Sequence, residues 1–165
     1  MPDSELLDLL DEAFDKKSWH GPNLTGSIRG VTATEAAWRP APGRHNIWEL
    51  TLHAAYWKYV ARRRITGDKR GSFVLPGSNF FERPASHFGE ADWKDDIGVL
   101  ATEHQALRGV VADLSPKLRR DSKTLHLIRG VAAHDLYHAG QIRLLRRLCP
   151  LKSTRPASAS SRTPA

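Results

Sequence analysis

One cysteine, Cys149, stands among the 165 residues, so no intrachain disulfide can form and a packed core has to hold the fold. A chain of this length can bury one such core as a single domain. Long apolar runs are missing too: no stretch approaches the roughly 18 consecutive apolar residues of a membrane span. The N-terminus lacks the basic, apolar pattern of a cleavable export signal and carries Asp3, Glu5, Asp8, Asp11 and Glu12 instead. These absences lead us to expect a globular chain in the cytoplasm, and a lone cysteine fits a reducing compartment. There is no internal repeat.

Positive charge, by contrast, is in excess. A net charge of +7 makes nucleic acid the first anionic partner to consider. However, Arg62, Arg63 and Arg64 fall near the end of one expected helix and Arg143, Arg146 and Arg147 near the end of another, where cations oppose the helix dipole. No aromatic residue is interleaved among them to stack on bases. Nucleic acid is therefore not the expected partner.

Apolar periodicity predicts four long helices and an all-α fold. The first runs from about Ser4 to Lys17, with Leu6, Leu7, Leu10, Ala13 and Phe14 at helical spacing. Residues 18–43 carry too many prolines and glycines for a long helix and read as a connection with a short helical turn over Thr32 to Trp38. The second long helix begins at Asn46, with Glu49 placed to close a capping box, and runs to Thr66 before Gly67. From Asp68 to Gly89 a loop rich in glycine and proline surrounds the pair Phe80 and Phe81; its length suggests either a crossover or a lid. The third helix, Glu90 to Leu114, shows the seam Trp93, Ile97, Leu100, His104, Leu107, Val111 and Leu114. The fourth runs from Thr124 to Leu148, with the inward line Ile128, Val131, His134, His138, Gln141, Ile142, Leu145 and Leu148. Residues 1–149 thus form the domain, and 150–165, without apolar periodicity, read as a disordered tail.

Polar residues on core faces need partners. His134 and His138, four apart, lie on one helix face and can aim both imidazoles at one point. His53 shares the inward side of the second helix with Leu50, Trp57 and Val60. An unpaired buried polar group costs about 1–3 kcal/mol, and three inward histidines avoid that cost by sharing one ligand. With the second and fourth helices antiparallel, His53 and His138 differ in depth by only about 5 Å. His104 falls about 10 Å deeper than His53 and reads as a structural or supporting histidine rather than a fourth ligand. Gln141, one turn past His138, can orient a ligand or bond a neighbouring helix. Asp135 points aside and reads as a solvated or interfacial charge. His20 and His45 fall in loops, at the rim of such a site, and His87 and His126 read as solvated.

Three neutral imidazoles suit zinc, nickel, copper or ferrous iron, with zinc or nickel the expected ion, and they leave a coordination position open for water or substrate. Such an ion can acidify a water or hold a thiolate deprotonated. No inward carboxylate is an obvious general base, Asp135 and Glu49 being marginal, so no catalytic residue is assigned.

The segments Asn46 to Trp57 (NIWELTLHAAYW) and His134 to Ile142 (HDLYHAGQI) resemble the DinB-like superfamily of DNA-damage-inducible proteins, including its bacillithiol-transferase-like branch. The likeness extends from about Leu6 to Leu148, and residues 18–22 (SWHGP) resemble the end of that family's first helix. The resemblance implies a four-helix bundle of up-down-down-up order with a long connection between the second and third helices. It also implies a three-histidine metal site, mapping onto His53, His134 and His138, and homodimers. The expected function is that of a metal-dependent enzyme, a low-molecular-weight-thiol S-transferase acting on a small molecule. A metal-dependent hydrolase and a non-enzymatic stress-response or nucleic-acid-binding module are the alternatives.

Overall fold

The computed structural model describes residues 3–151. Among them are six α-helices, one 3-10 turn at Leu118–Arg120 and no strand. The helices are α1 (Asp3–Phe14), α2 (Leu24–Ile28), α3 (Ala33–Ala37), α4 (Ile47–Thr66), α5 (Glu90–Ala112) and α6 (Ser122–Leu148). The described residues are all-helical, as the apolar periodicity requires. Each of the four long helices packs on two others: α4 on α5 and α6, and α1 on the same pair. The expected tail, apart from Pro150 and Leu151, lies outside the described residues.

Several ends differ from expectation for local reasons. α1 stops at Phe14, short of Lys17, where the amides of Asp15 and Lys16 both bond the carbonyl of Asp11. α5 stops at Ala112, and α6 begins at Ser122 because the carboxylate of Asp121 caps the amide of Thr124 at 2.8 Å. The unforeseen helix α2 follows Asn23, whose side-chain oxygen accepts from the amide of Gly26 at 2.8 Å. α3 carries a full capping box between Thr32 and Glu35. Asn46 caps α4 by accepting from the amide of Glu49, but Glu49 does not reach back. Its carboxylate is held by Arg39, by His45 at 2.9 Å and by the amide of Arg83. Leu148, expected inward, is exposed.

The core has two apolar halves. One joins Ile47, Trp48, Leu52, Trp93, Leu100 and Ile142 with residues of α2 and α3. The other joins Leu6, Leu10, Ala61, Leu107, Ile128 and Val131. Fully burying side chains of this size stabilises by about 1.5–3 kcal/mol each. Between the two runs, on every long helix, lies a buried polar residue: Asp11, Lys58, His104 and Asp135.

These four explain one another. Lys58 pairs with Asp135 with both side chains inaccessible to solvent, which corrects the reading of Asp135 as a solvated charge. The ammonium of Lys58 also sits 5.0 Å from the centre of the Phe14 ring. Phe14 in turn stacks on His104 at 3.6 Å. Asp11 accepts from Arg108 at 2.9 Å and pairs with Lys16 at 2.7 Å. Charge inside this core is thus neutralised across two helix pairs, α4 with α6 and α1 with α5.

The 68–89 loop has no helix or strand, yet it is firmly attached. Gly71 and Ser72 donate their amides to the Tyr59 hydroxyl at 3.1 and 3.3 Å, and Asn46 donates to the carbonyl of Arg83 at 2.7 Å. Asp96 accepts from both Trp48 and Arg83, at 2.7 and 2.8 Å, so α4, α5 and the loop meet at one carboxylate. Phe81 is buried. The loop therefore packs as a wall against α4.

Candidate metal centre

The structure brings His53, His134 and His138 together. Each offers one nitrogen, and these nitrogens lie within 4.8 Å of one another. His53 projects from the second turn of α4, while His134 and His138 project from successive turns of α6. The Nε2 atom of His134 lies 3.0 Å from the Nε2 of His53 and 3.0 Å from that of His138. Nitrogens bound tetrahedrally to one zinc at about 2.0–2.1 Å stand roughly 3.3 Å apart, so the two 3.0 Å pairs are close to the spacing of a ligand set, and the pair His53 and His138 lies within 4.8 Å.

The donor inventory tests the fit. Nδ1 of His53 lies 2.9 Å from the carbonyl oxygen of Asn79, which can only accept, so that nitrogen carries the proton. Nδ1 of His138 lies 2.6 Å from Oε1 of Gln141, which fixes the same tautomer. Both Nε2 atoms are then bare lone pairs, and His134 has at most one proton to give between them. At least one close nitrogen pair needs a cation. Nδ1 of His134 is buried without a hydrogen-bond partner among the described residues. This donor set fits a divalent transition metal.

Electrostatics agree. Burial lowers the pKa of His53 to about 4 and that of His134 to about 3, and it lowers His138 as well, against the opposing bond from Gln141. The three rings are neutral at pH 7, the form in which imidazole ligates a metal.

Aromatic packing fixes the site from the loop side. Phe80 stacks on His53 at 4.0 Å and, through its other face, on His45 at 3.7 Å. Asn79, in the left-handed region with φ 68°, turns its carbonyl to His53 and its side-chain oxygen to Trp57 Nε1 at 3.0 Å. The histidines open into a cavity of about 690 Å³ with an apolar wall of Leu50, Phe80, Leu144 and Leu145 and with Arg44 and His45 at its edge. Among the described residues no aspartate or glutamate lines it.

The other sequence candidates lie elsewhere. His104 is buried among Phe14, Asp11 and Lys58, with its pKa lowered to about 3 by burial, and it is not part of the histidine cluster. Gln141 bonds His138 and also donates to the Tyr137 hydroxyl at 3.1 Å. Glu49 is 4% exposed and engaged, and Asp135 points at Lys58, away from the cavity, so neither carboxylate serves as a base there. Sequence reasoning missed the Asn79 carbonyl, which has no side-chain signal. It also missed the role of Phe80, marked only as half of an aromatic pair.

A family model for the DinB superfamily matches residues 18–142, a span that includes all three histidines. The chain belongs to the DinB superfamily. Comparison with curated proteins and with solved structures gives no match. Membership of the DinB superfamily agrees with the all-helical fold and the three-histidine cluster, and none of the described helices is long and apolar enough to cross a membrane.

Proposed function

We propose that His53, His134 and His138 hold one divalent transition metal, zinc or nickel, and that this chain is a metal-dependent enzyme, a low-molecular-weight-thiol S-transferase. The observation that carries the reading is the convergence of three Nε2 atoms on a cavity that no carboxylate lines. Such a site can hold a cation yet supplies no acidic residue as nucleophile or base, which favours a nucleophile that arrives with a substrate. A bound metal would favour the thiolate form of a coordinated thiol.

The chain's own groups supply the rest. His45 is held through Nδ1 by the carboxylate of Glu49 at 2.9 Å, which leaves its Nε2 free to take the proton of an incoming thiol. Arg44, beside it, faces the anionic group of a substrate. Leu50, Leu144 and Leu145 enclose the apolar body of an electrophile. Sulfur then forms the bond to carbon, and the leaving group departs with its electron pair. The bacillithiol-transferase-like branch that the motifs resemble fits this assignment, and a reducing cytoplasm suits a thiol substrate. The four long helices would form the family's up-down-down-up bundle, with the 68–89 loop as the long connection. The resemblance also implies a homodimer, and Tyr137, Leu144 and Leu148, exposed on α6, belong to the wall of the substrate cavity.

Metal analysis and a screen of thiols against activated aryl halides, on zinc- and nickel-loaded protein, test the reading. About one ion per chain is expected in wild type and far less in His53→Ala and His138→Ala, with thiol consumption only in wild type. Equal metal loading of the three proteins would remove the site. Loading without thiol-dependent turnover would remove the transferase, and turnover with water alone would make the enzyme a hydrolase that uses His45 as its base.

A further inference from the structure

On the opposite side of Trp57 and Asn79 from the histidines lies a second cavity, of about 780 Å³, between the C-terminal half of α4 and the loop residues 70–79. Small-molecule sites occupy roughly 300–1,000 Å³. One wall is aromatic: Tyr56, Tyr59 and Phe73 meet there, the Phe73 ring 5.3 Å from Tyr56 and 5.5 Å from Tyr59, with Trp57 beside them. The polar groups are of one sign. Arg63 and Arg64 enter from α4, and Arg70 enters from the loop.

No aspartate or glutamate lines this cavity, and none of the three arginines has an ion-pair partner among the described residues. The nearest acidic neighbour in sequence, Asp68, uses its carboxylate on the Thr66 hydroxyl at 2.6 Å and offers Arg63 only its main-chain carbonyl, at 3.2 Å. The Nε atom of Arg63 is buried with no hydrogen-bond partner among the described residues. Arg62, adjacent in sequence, differs in having a carboxylate: it pairs with Glu103 of α5 at 3.3 Å and lies over the Tyr59 ring, 5.6 Å from its centre, although its Nε too has no hydrogen-bond partner among the described residues.

A favourable position at the helix C-terminus accounts for Arg63 and Arg64. It does not account for Arg70, which belongs to no helix and converges on the same space. Nor does it satisfy the donors of Arg63. Three guanidinium groups without a carboxylate, beside the partly exposed rings of Tyr56, Trp57 and Phe73, form the recognition surface for a flat anion: these rings pack on its plane and the arginines take its charge.

We propose that this cavity is a second ligand site, separate from the histidine cluster, which takes a small planar aromatic anion bearing a phosphate or carboxylate group. The Tyr59 hydroxyl, by accepting from the amides of Gly71 and Ser72, holds the loop wall in place before the ligand arrives. The inference does not rest on the metal reading, since none of Arg63, Arg64 and Arg70 belongs to the histidine cluster.

Titration of the full chain with adenosine 5′-monophosphate and, separately, naphthalene-2-carboxylate, followed by amide chemical shifts, tests it. At least one of these two probes should bind saturably and shift Gly71 and Gly77. Adenosine and inorganic phosphate, the two halves of the nucleotide, should bind at least tenfold more weakly than the nucleotide if that is the probe taken. Arg63→Gln and Arg70→Gln, each on the surface side of the fold, should weaken binding about tenfold, whereas Arg44→Gln in the histidine cavity should not. Failure of both planar anions to bind, shifts centred on Gly140 of α6, or unchanged affinity in Arg63→Gln and Arg70→Gln would overturn the proposal.

Discussion

The main-chain carbonyl of Asn79 accepts from Nδ1 of His53 at 2.9 Å, although the two lie 26 positions apart and only His53 belongs to a helix. The carbonyl is aimed by the left-handed backbone of Asn79 and by the bond from Trp57 to its side chain. Asn79→Gly keeps that backbone accessible and removes only the acceptor for Trp57. Metal affinity, measured by competition with a chelator, should fall about tenfold, the lower end of what lost support behind a ligand costs. Trp57→Phe should match it, and the double variant should be no worse than either. Wild-type affinity in both single variants would show that the carbonyl is held without this bond.

Gln141 acts on His138 in the same way, but through its side chain. Gln141→Leu removes the acceptor and frees the ring to adopt the other tautomer, so metal binding should weaken about 10- to 100-fold with little change in thermal stability. Gln141→Glu retains an acceptor and should bind at least as tightly as wild type. The opposite order would contradict the geometry at 2.6 Å.

Lys58 and Asp135 carry a different kind of prediction. Both side chains are fully buried, so Lys58→Met leaves a carboxylate without its counter-charge and should cost about 3–5 kcal/mol in urea unfolding. Replacing both, as Lys58→Met with Asp135→Leu, removes the two desolvation costs together and should recover most or all of that loss. A double variant as unstable as the single one would show that the pair itself holds α4 to α6.

Acid stability follows from the buried histidines. His104 has a folded pKa of about 3, lowered chiefly by burial, against 6.5 for the unfolded ring. Its contribution is present above pH 6.5 and is lost as the pH falls towards 3, because only the unfolded chain takes up the proton. His104→Gln should therefore flatten the loss of stability between pH 7 and pH 5 by up to about 2 kcal/mol. Asp135 works in the opposite sense: its pKa is raised by burial to about 6, so its contribution is largest at low pH and fades as the pH rises through that value. Denaturant titrations of wild type and His104→Gln at the two pH values check the sign; a steeper acid loss in the variant would contradict it.

What the sequence made legible was governed by period and spacing. Apolar residues at steps of three and four disclosed the four long helices, and the same arithmetic turned His53, His134 and His138 inward, because these properties depend on neighbours one or two turns away. Partners distant in the chain could not be read. Asp135 looked like a solvated charge because its position on α6 says nothing of Lys58, 77 residues earlier, facing it from α4. Glu49 looked like half of a capping box because Arg39 and the amide of Arg83 compete for it only once the chain has folded. Helix α2 lay hidden in a stretch of glycine and proline, where a single Asn23 cap outweighs weak propensity over five residues.

Phe80 lies face to face with both His45 and His53, and its neighbour Asn79 holds the proton of His53. Any excursion of the loop that lifts this ring uncovers the cavity, loosens one ligand and releases the histidine beside Glu49 in a single movement. With a metal held as proposed, entry of substrate and escape of the ion would then share one barrier, and the residence time of the metal would report how often the loop opens.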